Sequence, residues 1–192
     1  PADVVKAVLE AHPAAAMAQQ REQLPLDAAI ENDASESVLL MLIDSMDLEP
    51  SSDVLVVGSL QSLIVRDMAE DAKVRCVQRL LEKRPKLATL PSERQGGSAL
   101  QVALEHAVPA SVVELVLKAD PEAATRPISQ GDDDGGRERA LKGPTPLHLA
   151  IHAGTPEAVI LRMIKAHPDA AKQLRDLSWR KPGKTDVNED SR

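Results

Sequence analysis

The chain has almost no aromatic side chains and almost no cysteine. Phenylalanine and tyrosine are absent from its 192 residues, and Trp179 is the single aromatic residue. Any core must therefore be built from Leu, Val, Ile, Ala and Met, and such side chains suit thin stacked helices better than one thick globular centre. The lone Cys76 cannot form an internal disulfide, which favours a reducing compartment and disfavours secretion.

Long apolar runs and an excess of positive charge are also missing. No run approaches the roughly 20 apolar residues of a membrane span, and Pro1-Ala2-Asp3 is not the basic opening of a signal peptide. We expect an intracellular protein, cytoplasmic by default, or organellar if an upstream targeting segment was removed. The net charge of −7 repels phosphate backbones and few aromatics are available for base stacking, so we expect neither nucleic acid nor membrane insertion.

One short segment occurs three times at the distances typical of a repeat. It reads LPLDAAIE from Leu24, SALQVALEHA from Ser98 and TPLHLAIHAG from Thr145. In each copy a leucine lies twelve residues before an aliphatic position; the pairs are Leu26 and Val38, Leu100 and Val112, and Leu147 and Val159. This fixed spacing indicates homologous units.

A second feature marks where the units end. Four apolar helical runs stop at a residue followed by proline, at His12-Pro13, Arg84-Pro85, Asp120-Pro121 and His167-Pro168. The proline comes nine residues after an apolar position in each case. Together with Val38, the apolar positions that precede these prolines form one equivalent set, which is Val4, Val38, Cys76, Val112 and Val159. Successive members are separated by 34, 38, 36 and 47 residues.

The period predicts an all-α solenoid of stacked helix pairs over residues 2–175. Residues 2–12 supply only the second helix of a pair, and complete repeats follow at about 24–48, 55–86, 97–122 and 144–170. We expect the Gly-rich, charged insert 126–143 to be a mobile loop and 176–192 to be a flexible polar tail. Within the third unit Val54–Gly58 resembles a buried strand, but its place in the period predicts a first helix around Leu60–Met68 and a second helix from Lys73 to Lys83.

The fifth unit resembles an ankyrin repeat. The resemblance lies in Thr145-Pro146-Leu147-His148-Leu149-Ala150, with Gly154 and Glu157 following. In that family the proline opens the first helix, leucine and alanine pack between units, and the threonine and histidine tie neighbouring turns by hydrogen bonds. Asp27 and Gln101 replace the histidine in two other units. The resemblance implies an ankyrin-type array of four to five degenerate repeats, in the variant whose second helix ends in Ala-His-Pro, at Ala11–Ala16 and Ala166–Ala171.

Sites for chemistry are weaker than the repeat. His148 and His152 have metal-ligand spacing, but the resemblance gives His148 a structural role. The run Asp132–Gly135 lacks the ligand order of an EF-hand, and Pro182–Thr185 lacks the first glycine of a phosphate-binding loop. Cys76 lies on an apolar stripe, which favours an inert thiol. No nucleophile, base and orienting group come together in sequence, so we predict no enzyme, no cofactor and no metal.

An ankyrin array binds protein partners through a concave face formed by its first helices and the turns before them. The resemblance places exposed positions of that face in three units, and Trp179 in the basic segment Ser178–Lys184 is a further docking candidate. The predicted partner-binding residues are Glu31, Asn32, Arg94, Gln95, Glu105, His106, Leu141, Lys142, His152, Ala153 and Trp179. The alternative is a structural accessory subunit embedded permanently in a large assembly, because both ends of the array lack a polar cap.

Overall fold

The computed structural model describes residues 2–20, 23–46, 53–91, 97–126, 145–166 and 168–173. Within these ranges the chain is helical and contains no strand, apart from one isolated bridge between Gln20 and Gln23. The all-α prediction is therefore confirmed for this part of the chain. The predicted tail 176–192 and, except for Arg126, the predicted loop 126–143 lie outside it.

Along most of the chain a short helix is followed by a longer one, but both helices of the third unit are long, with 13 and 14 residues. In order they are α1 (Ala2–Ala11), α2 (Pro25–Glu31), α3 (Glu36–Ser45), α4 (Asp53–Val65), α5 (Glu70–Lys83), α6 (Ala99–Glu105), α7 (Ala110–Ala119), α8 (Pro146–His152), α9 (Glu157–Ala166) and α10 (Pro168–Gln173). We call α2, α4, α6 and α8 the first helices, and α1, α3, α5, α7 and α9 the second helices.

Three second helices stop in the same way. The residues that end α1, α5 and α7 are His12, Arg84 and Asp120, and their φ angles are −140°, −141° and −138°. The proline that follows each of them forces this extended conformation, because its ring disfavours the helical region for the residue before it. A short 3-10 turn then begins at the proline. Pro168 instead opens α10, as a proline at a first helical position can.

Three first helices share one kind of turn at their C-termini. Asp33, Ala107 and Gly154 follow α2, α6 and α8 and have positive φ angles of 53°, 48° and 67°. The next backbone N–H then donates to a carbonyl five residues back, as in Ala34 to Ala29 at 2.9 Å. This is the Schellman pattern, which satisfies carbonyls that the helix end leaves without partners.

The third pair departs from the sequence prediction. Its first helix spans Asp53–Val65 rather than the predicted Leu60–Met68, and its second helix begins at Glu70 rather than Lys73. The helix α5 has 14 residues, whereas α3 and α7 have 10 each. The extra turn lies at the start of α5, so Leu60 precedes Cys76 by sixteen residues instead of twelve. The strand-like run lies in the first half of α4, and its Val56, Val57 and Gly58 are buried there.

Contacts between the helices follow the order of the pairs. The first helices contact one another in the series α2, α4, α6, α8, and the second helices do so in the series α1, α3, α5, α7, α9. Each first helix also contacts the second helix that follows it. The apolar core runs along both series, and four of its fully buried side chains occupy the same position of successive first helices: Leu26, Leu60, Leu100 and Leu147.

Candidate functional site

The predicted binding residues that fall within the described part of the chain are all exposed. They lie at or next to the C-termini of α2, α6 and α8. Because these helices belong to one contact series, their ends and the turns that follow form a surface we call the turn face. Its predicted members are Glu31, Asn32, Glu105, His106, His152 and Ala153.

The turn face carries exposed acidic side chains. Glu31 accepts a hydrogen bond of 2.5 Å from Gln23 Nε2, and Glu105 accepts one of 2.8 Å from Gln101 Nε2. Neither bond brings a cation, so both carboxylates keep their charge uncompensated by these contacts. Asp33 and Asp67 in the turns are also exposed, and Arg66 Nη2 lies 3.5 Å from Asp33 Oδ1. Asp33 therefore has a cation beside it, whereas the hydrogen bonds to Glu31 and Glu105 bring none.

Buried polar side chains occupy one equivalent position in three of the first helices. Asp27 is the third residue of α2, and its carboxylate accepts hydrogen bonds from Leu24 N at 3.1 Å and from the hydroxyl of Ser59 on α4. Gln61 occupies the corresponding position of α4, and its Nε2 donates to Gly97 O, just before α6, at 3.0 Å. Both bonds connect one helix pair to the next. Sequence analysis missed Gln61, because the extra turn of α5 shifts the spacing that would have identified it.

His148 occupies the same position in α8 and is also buried. Its Nδ1 accepts from Thr145 N at 3.2 Å and lies 2.8 Å from Thr145 Oγ1. This assigns the proton to Nε2, which has no hydrogen-bond partner in the described part of the chain. The bond closes within one unit, whereas the resemblance implied a tie between neighbouring turns. Burial, followed by the charge of His152, lowers the pKa of His148 and keeps it neutral at pH 7.

The exposed side of the second helices is organised differently. Oppositely charged side chains join successive second helices: Arg75 to Glu36 at 2.5 Å and Arg79 to Asp44 at 2.6 Å between α5 and α3, and Arg162 to Glu114 at 3.0 Å between α9 and α7. The bond to Arg75 lowers the pKa of Glu36. Three carboxylates on this surface, Glu36, Asp44 and Glu114, are thus each matched by an arginine.

Two further cationic side chains donate hydrogen bonds to the preceding helix pair. Lys83 at the end of α5 donates to three carbonyl oxygens at the end of α3, those of Ile43 at 2.9 Å, Asp44 at 2.5 Å and Met46 at 3.3 Å. A cation at this place offsets the partial negative charge of a helix C-terminus. Arg66 after α4 reaches back to Ala34 O at 2.8 Å. Neither contact could be found from sequence, because each joins residues more than thirty positions apart.

The remaining chemical groups do not assemble within the described residues. Cys76 is buried, and burial raises the pKa of its thiol to about 11, which keeps it protonated and unreactive. No group of three or more His, Cys, Asp and Glu side chains in these ranges is placed to hold a metal. In the same ranges, every helix is too short or too polar to cross a bilayer. Five predicted binding residues lie outside the described ranges: Arg94, Gln95, Leu141, Lys142 and Trp179.

The chain was also compared with known proteins. No family model, no curated protein and no solved structure matches it.

Proposed function

We propose that the chain is an ankyrin-type α-solenoid that binds a protein partner through the turn face. The regular contact order of its helices supports the solenoid, because repeat proteins stack units that touch mainly their sequence neighbours. The recurring turns after α2, α6 and α8 support a shared repeat architecture. Both features add to the resemblance of residues 145–150 to an ankyrin repeat.

The binding proposal rests on one observation. The two exposed surfaces differ in the hydrogen-bond partners of their carboxylates. Three carboxylates on the second helices, Glu36, Asp44 and Glu114, have arginine partners at 2.5–3.0 Å. Among the described residues, the hydrogen-bond donors to Glu31 and Glu105 on the turn face are side-chain amides, while Asp33 lies 3.5 Å from Arg66. Carboxylates placed like Glu31 and Glu105 favour a basic or amide-rich segment of a partner, and such complementarity chiefly increases the rate and specificity of association.

Site-specific cross-linking combined with charge reversal tests the proposal. A photo-reactive amino acid is placed at Asn32 or His106 on the turn face, and at Gln78 on the exposed side of α5 as the control. The protein that the turn-face positions capture is then purified, and its affinity is measured by calorimetry. We expect Glu31→Lys with Glu105→Lys to weaken binding by about tenfold or more, and Glu82→Lys on α5 to leave it unchanged.

Capture only at Gln78, or an equal loss of affinity for the two charge reversals, would count against the turn face. Circular dichroism of each variant separates a loss of binding from a loss of structure.

The alternative, a permanent accessory subunit, is favoured by apolar surface at both ends of the helix series. Val4 and Val8 on α1 are 66% and 48% exposed, and Ile151 on α8 and Leu161 on α9 are 47% and 53% exposed. Surfaces of this kind mark sites of permanent association or aggregation. Size-exclusion chromatography with light scattering distinguishes the two functions: a stable monomer favours a reversible adaptor, and aggregation of the isolated chain favours a subunit.

A further inference from the structure

The turn after α4 is built differently from the turns after the other first helices. After α2, α6 and α8 a backbone N–H donates to a carbonyl five residues back, at 2.9, 3.1 and 3.0 Å in that order. Each of those turns also contains a residue with a positive φ angle. The described residues 66–69, which form the turn after α4, have neither feature. Local backbone hydrogen bonds of this kind therefore do not fix that turn.

The residue that opens this turn is Arg66, and its side chain is placed unlike those at the equivalent positions. Each lies six residues after the buried leucine that the first helices share, and the equivalents of Arg66 are Asn32, His106 and Ala153. Those three residues are exposed on the turn face. The side chain of Arg66, in contrast, is only 9% exposed and reaches back to the preceding helix pair.

The guanidinium of Arg66 connects the turn after α4 to the turn after α2. Its Nη2 donates to Ala34 O at 2.8 Å and lies 3.5 Å from Asp33 Oδ1. Asp33 and Ala34 belong to a turn that its own backbone bonds close. A hydrogen bond from a charged donor is stronger than one between neutral groups. The side chain of Arg66 thus attaches the turn that lacks local bonds to one that has them.

This attachment has a cost for folding. The Nε and Nη1 atoms of Arg66 are buried and have no hydrogen-bond partner in the part of the chain that the structure describes. A buried donor without a partner destabilises the folded state, and burying a cation adds a desolvation cost. Asp33 offsets little of it, because its side chain is 88% exposed and solvent screens the pair. An apolar side chain would avoid both costs, so stability alone does not account for the arginine.

The turn that Arg66 attaches lies in the middle of the turn face. The helix α4 contacts both α2 and α6, so its C-terminus lies between the helix ends that carry Glu31 and Glu105. Asp67 in the same turn is exposed. A partner segment that extends from Glu31 to Glu105 therefore has to pass over residues 66–69.

We propose that Arg66 is a positioning residue of the turn face. It keeps the turn after α4 ordered, so that a basic partner segment meets Glu31 and Glu105 across a surface whose shape is already set. Binding to an ordered surface loses less conformational entropy and is therefore tighter. The inference rests on the proposed function for its role in binding, whereas the order of the turn is a property of the free chain.

Nuclear magnetic resonance relaxation of the free, full chain tests the positioning role. The backbone amides of Asp67, Met68 and Ala69 should have order parameters of about 0.85 in the unaltered chain and below about 0.6 in Arg66→Met. The urea midpoint of Arg66→Met should stay the same or rise, because the unpaired buried donors are removed. Arg66→Lys keeps a donor for Ala34 O and should hold the turn better than Arg66→Met does.

The matched control is Arg79→Met. Arg79 also joins successive units, through Asp44 at 2.6 Å, but on the exposed side of the second helices. It should leave the order parameters of residues 67–69 unchanged. A fluorescent oligolysine peptide at low salt serves as the probe for a basic segment, and anisotropy measures its affinity. Both variants remove one positive charge, so we expect Arg66→Met to bind this peptide about threefold or more weaker than Arg79→Met for a reason other than net charge.

Unchanged order parameters in Arg66→Met, or an equal decrease in Arg79→Met, would overturn the positioning role. A marked fall in the urea midpoint of Arg66→Met would also contradict it, because the arginine would then act through stability. Equal peptide affinity of the two variants would overturn the link to binding, provided that Glu31→Lys with Glu105→Lys still weakens the peptide complex. If that double variant binds the peptide as well as the unaltered chain does, the proposed function itself fails, whatever the relaxation data show for the turn.

Discussion

The first helices and the second helices meet the same packing requirement with different polar chemistry. Both series bury aliphatic side chains from end to end. The first helices are also tied through buried polar groups such as Asp27 and Gln61, which connect one pair to the next. The second helices are tied through charged pairs at the surface and through Lys83. The difference is that Glu36 and Asp44 on the second helices are paired with arginines, whereas the described hydrogen bonds to Glu31 and Glu105 at the ends of first helices come from amides.

The largest effect should come from removing a buried leucine in the middle of the first-helix series. Leu60→Ala leaves a cavity at a fully buried site between α4 and its neighbours, which should lower the free energy of unfolding by about 2–5 kcal/mol. Leu161→Ala removes the same atoms at a site that is 53% exposed and should change it little. Urea denaturation measures both variants, and similar losses would mean that packing does not distinguish the two sites.

Removal of the Asp27 carboxylate comes next and tests the buried polar ties directly. Asp27→Ala leaves Leu24 N and the Ser59 hydroxyl without this acceptor, so we expect a loss of about 1–3 kcal/mol in the free energy of unfolding. Asp27→Asn keeps an acceptor of similar shape and should lose less. If the two variants are equally stable, the hydrogen bonds that this side chain accepts contribute no measurable stability.

The second helices are probed by Lys83→Met, which keeps an unbranched side chain one atom shorter than lysine and removes the three hydrogen bonds from Lys83 Nζ to the end of α3. We expect a loss of about 1–2 kcal/mol in thermal or urea unfolding. Arg79→Ala breaks an exposed ion pair with Asp44 and should cost less, because solvent screens such pairs. A larger loss for Arg79→Ala would mean that the exposed ion pair contributes more to the free energy of unfolding than the hydrogen bonds of Lys83 do.

A stabilising change is expected in the turn after α6. Ala107 has a φ of 48°, a conformation that glycine adopts without strain and that Gly154 occupies in the turn after α8. Ala107→Gly should therefore raise the free energy of unfolding by about 1 kcal/mol. Ala153→Gly is the control, because Ala153 has a φ of −71° and gains nothing from glycine. A melting temperature that falls for Ala107→Gly would contradict the strain argument.

The smallest expected effect is a dependence on pH. His148 has a lowered pKa in the folded chain, from burial and then His152, so the unfolded chain binds a proton more readily. The stability that neutral His148 provides is complete above the ordinary value of 6.5 and is lost as the pH falls below it. Urea denaturation at pH 7 and pH 5 should show a larger loss for the unaltered chain than for His148→Gln, and equal losses would exclude this contribution.

Local signals in the sequence predicted where three of the second helices end. The proline after His12, Arg84 and Asp120 fixes the backbone of the residue before it, and that effect depends on no distant contact. These helix ends could be predicted without coordinates because each depends on residues close together in the chain. The exposed positions Glu31 and Glu105 were instead implied by the resemblance to an ankyrin repeat.

The parts that sequence did not predict depend on distant contacts or on hidden changes of spacing. The run Val54–Gly58 has the composition of a strand but lies in α4, where Val56 and Val57 belong to the core shared with the other helices. Lys83 reaches carbonyls about forty residues earlier, which no local pattern indicates. The exposure of Val4, whose equivalents Cys76, Val112 and Val159 are fully buried, is found only by comparing burial, and that comparison needs the structure.

The longer second helix of the third pair has a consequence for how such a chain can vary in length. Each residue of an α-helix rotates the direction of the side chain by about 100°, so four added residues return it to within about 40° of its starting direction. The added turn at the start of α5 therefore leaves Cys76, Val77 and Leu80 in the core. An insertion of two residues at this place would turn the same stripe towards solvent. Helices of this chain can thus grow or shrink by whole turns while their neighbours stay where they are.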